Sequence, residues 1–185
     1  MSNLLIKTVM RSLFAVTSRK RAMNKAKGIL EDYMKLADGL STEAGRRFVG
    51  VPPMRGVDED MRRCSFYMIL EHNTIVNRSI SATIQQLVRG DALHGAAAID
   101  PKKDVLPSQS AGEEKLQEFR DSVNEHLRML STLGRLRGTK TAPHPIFGNF
   151  DAHKWTCMFS FHLGLHYKQA QHVVRTVKAE QDACS

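Results

Sequence analysis

The chain has 185 residues, 42% of them hydrophobic and 25% charged, which fits one globular domain able to bury about 70% of its unfolded surface and excludes a disordered chain. Its 27 Lys and Arg against 19 Asp and Glu give a net charge of +8, spread along the sequence apart from one cluster at Arg19, Lys20, Arg21, Lys25 and Lys27. Three cysteines, Cys64, Cys157 and Cys184, lack CxxC spacing, which excludes a disulfide framework and fits a reducing compartment; Cys64 and Cys157 read as small core side chains and Cys184 as a mobile thiol.

Residues 3–16 carry Leu5, Val9, Leu13 and Val16 at helical spacing, which fits a short amphipathic helix. The amphipathic extension, residues 1–17, is expected to pack across the domain or in a homodimer, with a membrane-surface segment as the alternative. Lys7 and Arg11 break it up too often for a secretory signal, and no run approaches the roughly 20 apolar residues that span a bilayer. The expectation is a cytoplasmic protein without a membrane partner.

Ser18 is a plausible N-cap for a helix from Arg19 to about Asp38, with Met23, Ala26, Leu30, Tyr33, Met34 and Ala37 inward and Gly39 closing it. Two prolines and two glycines make residues 48–56 irregular. Asp58 offers the N-cap of a long helix through about Val88, its inward line running Met61, Cys64 or Ser65, Met68, His72, Ile75, Val76, Ser79, Thr83 and Leu87. From Gly90 to Gly112 no period is visible, and a connection of about 20 residues suits a crossover between two parallel helices.

Glu113 to about Leu136 reads as a further helix with Leu116, Phe119, Val123, Leu127, Leu130 and Leu133 inward and His126 flanking the stripe. Residues 139–150 form a loop constrained by two prolines, and Asp151 caps the last helix, which begins with His153. No strand pattern is visible.

In the last helix Trp155, Met158, Phe159, His162, His166, Gln169, Val173 and Val177 recur at steps of three and four. His162 and His166 therefore stand one turn apart on the inward stripe, close enough to share one cation. The alternative is a pair of hydrogen-bonded core histidines. His72, midway along the Asp58–Val88 helix, supplies a third imidazole, and three histidines leave one tetrahedral position free, as in catalytic rather than structural zinc sites. Gln169 reads as a hydrogen-bonding partner behind the site, with Tyr167 also near it by spacing. Glu71 and Asn73 point away from the His72 face, Trp155 is core, and Gly164, between the paired histidines, reads either as a place of close approach by a neighbour or as mere tolerance of glycine.

Leu70-Glu71-His72-Asn73, His144-Pro-Ile-Phe-Gly148 and Asp151-Ala-His153-Lys-Trp155, followed by His162-Leu-Gly-Leu-His166-Tyr-Lys-Gln169, resemble the DinB/YfiT-like four-helix-bundle metalloenzymes over residues 19–178. The resemblance implies an all-α, up-down-down-up four-helix bundle, here carrying a short N-terminal helical extension. It places metal ligands on His72, His162 and His166, with zinc or nickel as the metal. It also implies transfer of a low-molecular-weight thiol to a small-molecule substrate, or metal-assisted hydrolysis of one. The other reading is a non-catalytic metal-binding or stress-response interaction module. Net charge alone speaks for nucleic acid, and no such partner is expected.

Overall fold

The computed structural model describes residues 3–54, 56–90 and 104–183. It is mostly helical, with six helices among the described residues: α1 (Asn3–Val16), α2 (Arg19–Ala37), α3 (Thr42–Arg46), α4 (Phe66–Arg89), α5 (Glu114–Thr132) and α6 (Ala152–Asp182). The all-α expectation holds at that level. Among the described residues no helix is long and apolar enough to cross a membrane. The crossover expected over residues 90–112 lies outside the described residues from 91 to 103, as does Cys184.

Side-chain oxygens that accept from backbone N–H groups set the starts of α2, α3, α4 and α6. Ser18 caps α2 by accepting from the N–H of Arg21, and Asp151 caps α6 by accepting from that of Lys154. The start expected at Asp58 is wrong. Asp58 opens only a single 3-10 turn at Glu59–Met61 and makes no cap bond, while Ser65 caps α4 by accepting from Met68 N at 3.2 Å. The intervening backbone is committed elsewhere, since β2 (Arg63–Cys64) pairs antiparallel with β1 (Val49–Gly50). A second ribbon joins β3 (Ala142–His144) to β4 (Gly148–Phe150), with Gly148 at φ 77° closing the turn. These two short ribbons correct the expectation of no strands; each pairing is too short to leave an alternating pattern.

α4 packs against both α5 and α6, and α2 packs against α6 and more lightly against α5. On α2 the small side chains of Ala22 and Ala26 let the helix approach closely, and Tyr33 is fully buried against Phe119. A polar ladder runs down α4: Asn73 donates to the Tyr33 hydroxyl, Asn77 to Ser122 Oγ, and Ser81 meets His126 Nδ1 at 2.7 Å. His126 is thus not a flank of the core but inside it, stacked on Phe159 with ring centroids 3.5 Å apart.

α1 covers the expected residues 3–16 and buries one edge of its apolar arc. Its buried edge is Ile6, Met10 and Phe14, with the Phe14 ring edge-on to Phe150 and Phe161, while Leu5, Val9, Leu13 and Val16 face outward. The apolar arc of the helix spans about half its circumference, and the bulky aromatic decides which edge goes in.

Candidate metal centre

Packing of α4 on α6 brings His72 against the His162–His166 pair. Ring centroids are 5.3 Å apart for His72–His162 and 4.5 Å for both His72–His166 and His162–His166. One nitrogen from each lies within 4.8 Å of the others, and this is the group of His, Cys, Asp and Glu side chains among the described residues with metal-site geometry. All three residues singled out in the sequence come together.

The hydrogen bonds around the cluster fix its chemistry. His72 Nδ1 lies 2.8 Å from the carbonyl oxygen of Val105, which can only accept, so Nδ1 carries the proton and Nε2 a bare lone pair. Gln169 Nε2 donates to the Met61 carbonyl at 2.6 Å and to Cys64 Sγ at 3.1 Å, which turns Gln169 Oε1 toward His166 Nδ1 at 2.7 Å. His166 Nδ1 must then be the donor, and its Nε2 is bare as well. These two Nε2 atoms face each other at 3.2 Å. With both rings neutral neither can donate to the other, so the contact asks for a cation or a shared proton between them. Two nitrogens bound to one tetrahedral zinc at about 2.0–2.1 Å would stand about 3.3–3.4 Å apart, close to the observed separation. His162 Nδ1 is buried with no hydrogen-bond partner, a further donor atom awaiting one. The residues present fit a divalent metal.

Protonation does not compete strongly. Burial holds His72 below the ordinary histidine value, against the opposing effects of the Val105 carbonyl and the Asp58 carboxylate. Burial pushes His166 down to about 3, and burial with three neighbouring imidazoles holds His162 well below its ordinary range. All three are neutral imidazoles at neutral pH, the form that binds metal.

The surrounding residues sort differently. Gln169 takes the role expected of it. Tyr167 instead packs edge-on to Tyr33, with centroids 5.1 Å apart. Glu71 accepts from Ser108 N at 2.7 Å and pairs with Lys115 at 3.1 Å, tying the segment before α5 to α4 and α5. Asn73 turns from the cluster to Tyr33. His153 hydrogen-bonds the Phe14 carbonyl at 3.1 Å, and Trp155 packs against His144 and Phe150. Cys64 and Cys157 are buried free thiols, both pushed up to about 11 by burial. At Gly164 an added Cβ would meet Ile29 Cδ1 at 3.4 Å, a contact with a flexible side-chain end that favours tolerance of glycine over close approach.

Sequence reasoning missed the two backbone carbonyls, Val105 and Met61, that orient the cluster directly or through Gln169. A carbonyl belongs to every residue type, so no side-chain signal marks it. Comparison with known proteins finds no match for this chain among protein-family models, curated proteins or solved structures.

Proposed function

We propose that the chain is a metal-dependent enzyme of the DinB/YfiT-like kind, with His72, His162 and His166 holding one divalent ion, zinc or nickel. Its substrate class is a small molecule that either receives a low-molecular-weight thiol or is hydrolysed. The observation that carries this is the 3.2 Å approach of two imidazole nitrogens whose outer partners leave both with bare lone pairs. Such outer partners raise ligand basicity and hold ring orientation in metal sites. Imidazole donors suit zinc and nickel alike. In the same reading α2, α4, α5 and α6 form the up-down-down-up bundle, with residues 90–112 crossing between parallel α4 and α5.

When bound, the ion would supply Lewis-acid chemistry, polarising a carbonyl or lowering the pKa of a bound water or thiol. The chain's own residues do the positioning. Val105 and Gln169 hold two imidazoles in their donor tautomers, the buried walls of α4 and α6 limit water, and three ligands leave one position for a substrate. One observation favours the non-catalytic alternative: the hydrogen-bond partners of the imidazoles among the described residues are a carbonyl and an amide, neither of which transfers protons.

The test is elemental analysis of protein purified without a nickel column, for the wild type and for His72→Ala, His162→Ala and His166→Ala. Each is expected to lose most of the metal, while His126→Ala and His153→Ala keep it. Equal metal loss in the last two, or no bound metal in the wild type, would overturn the site. Metal binding without metal-dependent turnover across thiol-transfer and hydrolysis assays would select the non-catalytic module.

A further inference from the structure

The outward row on α1 is unusual in its setting. Leu5 is 48% exposed, Val9 54%, Leu13 50% and Val16 80%, at spacings that place them along one side of the helix. The opposite edge of the apolar arc is already used, with Phe14 buried and Arg11 fastened to the carbonyls of Phe147 and Asn149 at 3.0 and 3.2 Å. α1 is therefore held on the body with its free apolar edge toward solvent. A shallow groove of about 260 Å³ beside it, lined by Ile6, Lys7, Pro145 and Ile146, adds the exposed side chain of Ile146.

The segment that carries this row and continues into α2 is charged with one sign. Residues 1–30 hold Lys7, Arg11, Arg19, Lys20, Arg21, Lys25 and Lys27 and no Asp or Glu, so this segment supplies nearly all of the net +8. Lys7, Lys20, Arg21, Lys25 and Lys27 are exposed, and the ion pairs among the described residues involve none of them. A second copy of the chain would bring the same charges against these and be repelled. An anionic surface would be attracted, and a helix with one apolar edge beside a basic cluster has the composition of an interfacial membrane helix.

We propose that α1 is an interfacial anchor, seating Leu5, Val9, Leu13 and Val16 among the acyl chains of an anionic lipid surface while the exposed Lys20, Arg21, Lys25 and Lys27 of α2 attract its headgroups. The reading differs from a spanning segment and requires none. It follows from the outward turn of the row.

Flotation of the full chain with phosphatidylcholine vesicles, with and without phosphatidylglycerol, tests this. Binding is expected only to the anionic vesicles. A basic protein can adsorb by charge alone, so the deciding variant keeps every charge: Leu5→Gln, Val9→Gln and Leu13→Gln together. These side chains are exposed, so thermal stability should be retained, while vesicle affinity falls by at least about tenfold as apolar insertion is lost. Lys20→Gln should weaken binding by about fivefold, a difference that vanishes at high salt. Undiminished affinity in the triple variant, equal binding to neutral vesicles, or no binding to anionic vesicles would each overturn the proposal, and a wild-type dimer that the triple variant dissolves would assign the row to a second copy instead.

Discussion

Gln169 has hydrogen bonds in two directions, and only one atom faces the imidazoles. Replacing it with Leu would leave His166 Nδ1 unpaired and free to change tautomer, and would orphan the Met61 carbonyl. Metal affinity should fall about 10–100-fold, measured by competition with a chromophoric chelator, and stability by about 1–3 kcal/mol. Unchanged affinity would make Gln169 a purely structural residue. His126 tests a different property. Ser81 Oγ already donates to the Asn77 carbonyl, so His126 donates from Nδ1 as a neutral ring, and burial pushes its pKa from the ordinary 6.5 to about 3. Between those values the unfolded chain binds a proton that the native state refuses, so this contribution is fully present above pH 6.5 and is lost as the pH falls toward 3. His126→Gln should flatten the pH dependence of the urea midpoint in that window by up to one proton, about 1.4 kcal/mol per pH unit. An identical slope in the variant would show that the native core accepts the charged ring.

The helices themselves were largely readable, because α2, α5 and α6 carry apolar stripes, α2 and α6 have the expected cap residues, and these are local signals. What was not readable depended on partners distant in sequence. Nothing near Asp58 reveals that Arg63–Cys64 will pair with Val49–Gly50 and postpone the helix to Ser65. Likewise, periodicity finds the half-circle of apolar residues on α1 but not which edge meets the body; that depends on the Phe150 and Phe161 rings that receive Phe14. Gly164 belongs at this scale too. With only Ile29 Cδ1 at 3.4 Å from an added Cβ, and no positive φ at the position, Gly164→Ala should raise stability by up to about 1 kcal/mol through helix propensity. Chemical denaturation checks it, and a loss of stability would mean that Ile29 cannot yield the space.

For the molecule as a whole, the site was legible where a pattern lay within one helix and converging faces could be inferred. The i, i+4 spacing paired His162 with His166, and the mid-helix position on an inward line added His72. Joining them required α4 to pack on α6, a tertiary fact. That packing gives the cluster a consequence beyond local chemistry, because its three imidazoles come from two helices separated by about half the chain. An ion held there crosslinks the native state and has no comparable site in the unfolded one. Native-state binding stabilises by about 2.7 kcal/mol at a free ion concentration of 100 times Kd. For a protein of this size that is expected to raise Tm by about 5–10 °C. Chelator should reverse the rise, and His72→Ala should abolish it while keeping a cooperative transition. The apo protein should still fold, since its core runs through Tyr33, Phe66, Phe119, Phe150 and Phe159, well beyond the imidazole cluster. Differential scanning calorimetry with zinc, with nickel and with EDTA makes the measurement, and a wild-type Tm indifferent to all three would exclude a native-state metal site at His72, His162 and His166.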